Sequence, residues 1–361
     1  MLALSAAIDA SESDTSPDLV GSILPGGWQV VRHIALGSMG HVYEARHLDG
    51  GPARAAVKVL HTDLVHNQEV AFRFRREAEI LDAIESPHVP RLFDRGRDAR
   101  GRSFFVIELI SGQELFQLLN THPVLPLSTA LEITRQICQA IGAAHRAGII
   151  HRDLKPENVM ILGTLEAPEV KILDFSVSKV DDISLTQAGT VLGTPSYMPP
   201  EQALGQPITP NVDVYAVGAM LYDMLCGRAP FDEGEPGRTL GALLTQEAPA
   251  PRSLAPDLPE AVEAVILRAI AKDPSRRYPT IEALQGEIGL LAGNVSGLRR
   301  RASVGDGAQA DALERDEDDE RQTHVPAPRA ARRGVVWAAG VAAGLAAAVA
   351  IVLVVWLMLA R

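Results

Sequence analysis

The octapeptide HRDLKPEN occupies residues 151–158, directly after the apolar run AGII. It places an aspartate, a lysine, an asparagine and a His-Arg pair in one short loop. Such a concentration of charged and amide side chains is costly in a folded protein unless the groups converge on a charged ligand. We therefore interpret this loop as part of a functional site and not as an ordinary solvated turn.

A second acidic position follows a strand-like run downstream of this loop. In EVKILDFSVSK, residues 169–179, the apolar residues Val170, Ile172 and Leu173 precede Asp174. A short apolar run of this kind is typical of a buried strand. Asp174 is therefore either the turn residue that closes a strand or a ligand of a bound group, and the local sequence leaves both interpretations open.

A glycine-containing stretch lies upstream between two strand-like runs. In ALGSMGHVY, residues 35–43, Gly37 and Gly40 would allow the backbone of a hairpin to approach phosphate groups with its N–H groups facing the anion. Glycines are also common in hairpins that bind nothing. This stretch taken alone therefore predicts a hairpin and leaves phosphate binding as one of two alternatives.

Lys58 lies in AAVKVL, with apolar residues on both sides. An ammonium group in such a strand needs an anionic partner if it is buried, because an unpaired buried charge is costly. Glu77, in the helical pattern RFRREAEIL, is the candidate partner. The alternative is a lysine that faces outward from an edge strand and a solvated glutamate.

The composition limits the class of protein. The chain has 361 residues, a mass of 38.6 kDa and 47% hydrophobic residues, which is enough to bury a sizeable core. Its formal net charge of -11 offers no broad basic surface, so nucleic acid is not expected as the main partner. The cysteines, Cys138 and Cys226, are far apart in apolar stretches and predict buried thiols without a disulfide framework.

The apolar pattern divides the chain into a tail, a folded region and a linker. Residues 1–26 become acidic and Ser-rich, and we expect them to form a flexible N-terminal tail. Residues 27–290 look globular, with strand-like runs up to about residue 110 and mostly helical runs from residue 111. Residues 291–334 contain RRRAS and the acidic run DALERDEDDER, and they predict a disordered juxtamembrane linker.

The C-terminal stretch of residues 335–359 contains no charged residue. As a helix, about 25 residues extend roughly 37 Å, enough to cross a hydrocarbon core of about 30 Å. Trp337 and Trp356 lie near its two ends, where aromatic rings favour the membrane interface. Three arginines precede the span, namely Arg329, Arg332 and Arg333. The stretch predicts a single-pass membrane protein with everything before the span in the cytoplasm. Gly340 and Gly344 match the G-x-x-x-G pattern that brings two spans together in a homodimer, but in a helix rich in Ala and Gly such a match easily arises by chance.

The order of three motifs points to a family. DFS at residues 174–176 and GTPSYMPPE at residues 193–201 follow the octapeptide. Over residues 27–290 the chain resembles serine/threonine protein kinases, in particular the bacterial, membrane-anchored Hanks-type enzymes. The resemblance implies an α+β, bilobal protein-kinase fold with a small β-rich N-lobe (about 27–110) and a larger helical C-lobe (about 111–290), followed by the transmembrane helix.

The resemblance implies phosphoryl transfer from ATP to Ser or Thr hydroxyls of proteins, with autophosphorylation and with Mg²⁺, or Mn²⁺, as the cation. Asp153 would accept the proton of the acceptor hydroxyl, and Lys155 would stabilise the transferring group. Lys58 would hold the α- and β-phosphates and be oriented by Glu77. The metal ligands would be Asn158 and Asp174. The predicted ATP-binding positions are Ala35, Gly37, Ser38, Gly40, Val42, Lys58, Glu108 and Ile110.

The resemblance also implies positions for control and architecture. Arg152 beside Asp153 suggests regulation by a phosphate on the activation segment, with Thr186 and Thr190 as phosphorylation sites and Ser184 behind them. Thr194 would contact the substrate. Three further residues would be structural, the ion pair of Glu201 with Arg277 and the helix aspartate Asp213.

Three positions depart from the family pattern. Ala35 and Ser176 replace glycines, and Pro199 replaces the alanine of Ala-Pro-Glu. None of them removes a side chain that would touch phosphate, metal or acceptor, and Ser176 would restrict the backbone where glycine allows two loop states. The alternative function is a catalytically impaired scaffold that binds ATP and signals by protein interaction. A small-molecule phosphotransferase is disfavoured by GTPSYMPPE and Lys155.

Overall fold

The computed structural model describes residues 19–175 and 195–307, and from residue 295 onward it describes only the backbone. The first part forms a six-stranded antiparallel sheet in the order β1-β2-β3-β4-β6-β5. The strands are β1 Ile23–Leu24, β2 Trp28–Leu36, β3 Gly40–His47, β4 Ala55–Leu60, β5 Leu92–Arg97 and β6 Ser103–Glu108. One helix, α1 Gln68–Ala83, separates β4 from β5.

Local chemistry explains where α1 begins and which face it buries. The side chain of Asn67 accepts hydrogen bonds from the backbone N–H groups of Glu69 and Val70, which is N-cap geometry. Phe74 and Ala78, four residues apart, are buried on the same face of the helix. This face packs against β5 and β6, so the position of α1 is set by apolar contact with the sheet.

The second part is mostly helical. A small antiparallel sheet, β7 Gln113–Glu114, β8 Val159–Gly163 and β9 Pro168–Ile172, lies beside it in that order. The helices are α2 Leu115–Thr121, α3 Leu127–Arg146, α4 Pro200–Ala203, α5 Asn211–Cys226, α6 Pro236–Thr245, α7 Pro251–Leu254, α8 Glu260–Ala269 and α9 Ile281–Gly307. Helix α5 is buried on almost every side, which is typical of a helix at the centre of a domain.

One glycine shows how closely the central helices pack. A Cβ atom on Gly218 of α5 would lie 2.6 Å from the Cβ of Ala269 in α8, closer than real Cβ contacts allow. The crossing of these two helices therefore requires glycine at this position. The predicted α+β fold with a small β-rich lobe and a larger helical lobe is confirmed.

Residues on both sides of the predicted range 27–290 pack with the folded region. Leu19 and Leu24 are 7% and 3% exposed and pack in the small lobe's core, although they lie before residue 27. At the other end, α9 continues to Gly307, past the predicted start of the disordered linker at residue 291. Its first turns pack in the core, and extending an existing helix costs far less than starting one.

Several predictions concern residues outside the described ranges. These are the transmembrane helix of residues 335–359, the phosphorylation sites Thr186 and Thr190 with Ser184, and the substrate contact Thr194. Within residues 19–175 and 195–307, none of the helices has the length and apolar character needed to cross a membrane.

Candidate active site

Lys58 and Glu77 form a tight pair at the boundary of the two lobes. The Lys58 Nζ lies 2.7 Å from both carboxylate oxygens of Glu77, and the two side chains are 17% and 13% exposed. Burial lowers the pKa of Lys58, but the carboxylates of Glu77 and Asp174 more than offset this and raise it, so the ammonium stays charged. Burial also raises the pKa of the Glu77 carboxyl, although the positive charge of Lys58 acts to lower it.

Asp213 holds the backbone of the octapeptide loop. Its Oδ2 accepts from His151 N–H at 3.0 Å and from His145 Nε2 at 2.7 Å, and its Oδ1 accepts from Arg152 N–H at 3.0 Å. Arg152 has a φ of 68°, a left-handed conformation that costs a non-glycine residue roughly 1–3 kcal/mol. A buried carboxylate with several donors can maintain such a conformation.

Three polar residues of the loop are brought together by this backbone. The Lys155 Nζ lies 3.3 Å from the Asp153 Oδ2. The Asn158 Nδ2 donates to the backbone carbonyl of Asp153 at 2.7 Å. The side chains of Asp153 and Lys155 remain 23% and 27% exposed, so a solute can reach both.

Asp174 follows β9 with a φ of 53°. The next residue, Phe175, is buried against His151 at 4.8 Å between ring centroids, and His151 Nε2 donates to the Leu173 carbonyl at 3.3 Å. The carboxylate of Asp174 is exposed, and its charge acts on Lys58. The backbone around Asp174 therefore places this carboxylate near the Lys58 ammonium.

The hairpin of β2 and β3 has a closely packed turn. The Gly37 N–H donates to the Gly40 carbonyl at 2.8 Å, and His61 Nε2 donates to the Gly37 carbonyl at 2.9 Å. A Cβ atom on Gly40 would lie 2.1 Å from the Val59 carbonyl oxygen, so only glycine fits there. The local sequence did not indicate that His61 would contact this hairpin, and the contact is visible only in the structure.

Comparison with known proteins identifies this arrangement. A family model described as Protein kinase domain matches residues 28–287. The chain belongs to the protein kinase family. This family accounts for the two lobes and for the polar groups gathered at their boundary.

Curated relatives and a solved structure are consistent with this family. The chain is 37% identical over 266 residues to the serine/threonine-protein kinase Pkn1 of Myxococcus xanthus, covering 73% of this chain and 38% of the relative. It is 38% identical over 264 residues to PknA of Mycobacterium tuberculosis, covering 72% and 60%. The crystal structure of the PknI kinase domain of Mycobacterium tuberculosis has 26% sequence identity and a TM-score of 0.56, covering 75% of this chain and 98% of that one. The match thus spans 38% of the length of Pkn1 and 60% of the length of PknA.

The predicted nucleotide positions lie in the β2–β3 hairpin, in β4 and at or just after the end of β6. Ala35 pairs with Val42 across β2 and β3, and Ser38 is exposed at the hairpin turn. At the end of β6 the carboxylate of Glu108 accepts from Lys171 Nζ at 2.6 Å. The Glu108 backbone N–H donates to the carbonyl of residue 91 at 2.9 Å, so that group is already engaged. Ile110, two residues further along the chain, is buried at 3% exposure.

Glu201 and Arg277 form a buried bidentate ion pair. Arg277 Nη1 and Nη2 donate to the two carboxylate oxygens of Glu201 at 2.6 and 2.7 Å. The guanidinium also donates to the carbonyls of Ala271 and Asn211 and lies 4.9 Å from the ring centroid of Tyr215. These contacts join α4 to the first residue of α5 and to the segment between α8 and α9, so the pair organises the large lobe.

The buried carboxyl group of Asp223 on α5 was not predicted from the sequence. The hydroxyl of Tyr197 donates to the Asp223 Oδ2 at 2.6 Å. Burial above all, together with the negative charges of Asp232 and Glu157, nevertheless raises the pKa of Asp223 from 3.8 to about 6, against the Tyr197 hydrogen bond, which lowers it. An aspartate inside the otherwise apolar pattern of DVYAVGAMLYDMLCG was the available signal.

The raised pKa of Asp223 predicts a pH-dependent stability. Because the folded state binds the proton more tightly, the stability that this gives is lost as pH rises from about 4 through about 6. We expect Asp223→Asn to match the wild-type stability near pH 4 and to exceed it by about 3 kcal/mol at pH 8. Urea denaturation at both pH values measures this, with the exposed Asp257→Asn as control. A difference that does not change with pH would contradict the assignment.

Proposed function

We propose that this chain is a serine/threonine protein kinase that transfers the γ-phosphoryl group of ATP to Ser or Thr hydroxyls of proteins, including its own. The observation that carries the proposal is the closed Lys58–Glu77 pair beside the Asp174 carboxylate. In this family that arrangement is needed for catalysis. The relatives Pkn1 and PknA, both named serine/threonine-protein kinases, support the choice of acceptor.

The side chains of the cleft have separate tasks in this proposal. Lys58 binds the α- and β-phosphates, and Glu77 keeps its ammonium in position. Lys155 neutralises charge on the transferring phosphoryl group. The Asp153 carboxylate accepts the proton of the acceptor hydroxyl. Because phosphoryl transfer needs little covalent participation by the protein, positioning and charge neutralisation account for most of the acceleration.

Asn158 and Asp174 fit a hard divalent cation. Both offer side-chain oxygens, and Asn158 uses its Nδ2 for the Asp153 carbonyl, which leaves the Oδ1 available. Mg²⁺ is commonly held by one or two such oxygens together with the phosphates, and Mn²⁺ accepts the same donors. The described residues contain no group of three or more His, Cys, Asp or Glu side chains that could hold a metal ion. The bound cation would neutralise charge on the β- and γ-phosphates.

The central experiment compares the full chain with Lys58→Met. We expect the wild-type chain, incubated with labelled ATP and Mg²⁺, to place label on Ser and Thr. The Lys58→Met variant should label about 10²- to 10³-fold more slowly, because it lacks the ammonium that binds the phosphates. ATP binding by the wild-type chain without any transfer would instead favour the scaffold alternative.

The departures from the family pattern leave the described site intact. Ala35 keeps its place in the β2–β3 ladder. Pro199 caps α4 with a φ of −73°, a value that the proline ring adopts without strain. Ser176 lies outside the described residues. These observations support an active enzyme over the scaffold.

Control by a phosphorylated activation segment is part of the proposal. Arg152 and Arg76 line one cavity of about 120 Å³ beside Phe175. A phosphate group on the activation segment carries a charge of about −2, which these two guanidinium groups could neutralise. Thr186 and Thr190 are the residues proposed to carry that phosphate. Undiminished activity of the double variant Thr186→Ala and Thr190→Ala would exclude this role.

The uncharged stretch of residues 335–359 is proposed to anchor the kinase in the membrane, with the kinase domain in the cytoplasm. We expect the full chain to stay in the membrane fraction after carbonate extraction. Leu345→Arg together with Val349→Arg should release it, because each central arginine costs about 2.5–3.5 kcal/mol on insertion scales. Retention of this variant would contradict the anchor. Gly340 and Gly344 would let two spans associate into a homodimer.

A further inference from the structure

His61 contacts the turn of the β2–β3 hairpin twice. It follows β4 directly, and its backbone N–H donates to the Met39 carbonyl at 3.0 Å. Its side-chain Nε2 donates to the Gly37 carbonyl at 2.9 Å. The Gly37 N–H in turn donates to the Gly40 carbonyl at 2.8 Å, which closes the turn. One residue at the end of β4 therefore holds two carbonyl groups of this turn.

Two more histidines continue from His61 across the sheet. The ring of His41, on β3, lies edge-on to that of His61 at 4.7 Å between centroids. The His41 Nδ1 lies 3.1 Å from the Nε2 of His33 on β2. His41 is 8% exposed, so its ring is fixed by its surroundings. We call these three residues the histidine group, and it forms a row that ends at the Gly37 carbonyl.

The histidine group lies outside the proposed nucleotide site. Successive side chains of a strand point to opposite faces of a sheet, so His41 faces away from Val42 and its ladder partner Lys58. His41 shares its face with Tyr43, whose ring lies 5.2 Å from that of His33 and 5.9 Å from that of His41. The effect of the group on a nucleotide must therefore pass through the backbone of the turn.

We propose that His61 is a positioning residue that holds the turn of residues 37–40 over the ATP phosphates, and that His33 and His41 make this hold depend on pH. The inference rests on the proposed kinase function, in which Gly37 and Gly40 cover the phosphates. A turn that is fixed before ATP binds loses less conformational freedom on binding. Loss of the His61 side chain should therefore weaken ATP binding more than it slows the transfer step.

The pH dependence follows from the contact of His33 with His41. The two facing nitrogens form a hydrogen bond only if one carries a hydrogen and the other a lone pair. When both rings are protonated, two N–H groups face each other and the bond is lost. Imidazole is the side chain that ordinarily changes charge between pH 5 and 8. The His61 Nε2 keeps its hydrogen in either charge state, so the pH dependence comes from the other two rings.

The charged residues around the histidine group have partners of their own or face solvent. Those of the surrounding elements are Arg32 on β2, Glu44 on β3, Lys58 on β4, Asp63 after β4, and Arg102, which contacts Thr62. Their ion pairs are Arg32 with Glu44 at 2.7 Å, Arg54 with Glu44 at 2.6 Å, Lys58 with Glu77 at 2.7 Å and Arg102 with Asp98 at 2.8 Å. Asp63 is exposed. These carboxylates therefore do little to offset positive charge on the histidine group.

The first test measures ATP binding and phosphoryl transfer by the full chain with Mg²⁺. His61→Leu removes the donor, whereas the side-chain amide of His61→Gln can place an N–H near the position of Nε2. We expect His61→Leu to raise the calorimetric Kd for ATP and the KM for ATP by about three- to tenfold, the usual effect of one hydrogen bond, with kcat falling less than twofold. His61→Gln should restore most of the affinity. His66→Leu, in the exposed turn before α1, is the matched control and should bind ATP like the wild type.

The second test compares the Kd for ATP at pH 5.5 and pH 7.5. The double variant His33→Gln with His41→Asn can keep a hydrogen bond between two amides, but it cannot be protonated. We expect acidification to raise the Kd of the wild type by about threefold more than that of the double variant. His66→Leu should follow the wild type. Because ATP and other groups also titrate, only the difference between the two chains measures the histidine pair.

The outcomes separate the inference from the proposed function. Equal ATP affinity of His61→Leu and the wild type overturns the positioning role, and so does a His61→Gln variant that binds no better than His61→Leu. A fall in kcat as large as the rise in KM also overturns it. Equal pH dependence of the double variant and the wild type overturns the role of His33 and His41. A wild-type chain that binds ATP without transfer refutes the kinase function alone, because the Kd values still test the inference.

Discussion

Asp153→Asn is expected to lower the rate of phosphoryl transfer by about 10²- to 10⁴-fold, the usual contribution of a general base. The amide is isosteric but cannot accept the proton of the acceptor hydroxyl. The loop should keep its conformation, because Asn158 bonds to the backbone carbonyl of Asp153 and not to its side chain. Asp213 also holds the loop through backbone N–H groups. ATP affinity should therefore change little.

Single-turnover transfer of labelled phosphate and calorimetric titration with ATP separate these two effects. The exposed Asp257→Asn, in the turn before α8, controls for the loss of one aspartate in the large lobe. Transfer by Asp153→Asn at more than a tenth of the wild-type rate would show that this carboxylate is not the base. A parallel loss of ATP affinity would instead indicate that the loop had been disturbed.

Arg277→Met is expected to destabilise the folded kinase domain by about 3–5 kcal/mol, the usual cost of breaking a buried ion pair from one side. The guanidinium and the Glu201 carboxylate are 0% and 6% exposed, so the remaining carboxylate would be left without its donors and without water. This loss is a large part of the stability of a typical domain. Chemical denaturation at neutral pH measures it.

The double variant Glu201→Gln with Arg277→Met tests the reason for this loss. Removing the charge of residue 201 should restore part of the stability, because the cost comes from an uncompensated buried carboxylate. Arg238→Met is the matched control, since Arg238 pairs with Glu233 on the surface at 3.3 Å and 71% exposure. Such a pair contributes about 0–1 kcal/mol. Equal losses for Arg277→Met and Arg238→Met would show that burial does not determine the cost.

The proximity of three polar residues in the candidate active site could be predicted because they lie close together in the sequence. Asp153, Lys155 and Asn158 are held by one loop, so their spacing alone brings them near one another. The buried carboxyl group of Asp223 could not be placed in the same way. Asp223 and its hydrogen-bond partner Tyr197 are 26 residues apart, and Asp223 lies in a helix whose apolar pattern predicts only burial.

The packing of residues outside the range 27–290 could not be predicted for a related reason. The composition changes gradually from the Ser-rich, acidic tail to the folded region and from the folded region to the polar linker. Composition alone therefore does not show which apolar side chain is the last to pack in the core. Leu19 and Leu24 pack in the small lobe's core, and Leu291 packs in that of the large lobe. Burial of these isolated residues depends on surfaces formed by other parts of the chain.

The sequence by itself determined the family and the groups available for chemistry, because motif order and local spacing are properties of the chain. Only the tertiary structure decided which distant groups are paired. Lys58 and Glu77 are 19 residues apart, and Glu201 and Arg277 are 76 apart. Each pair joins elements that meet through apolar packing. Electrostatic interaction and desolvation depend on distance in space and on burial, so the paired charges become visible only in the folded protein.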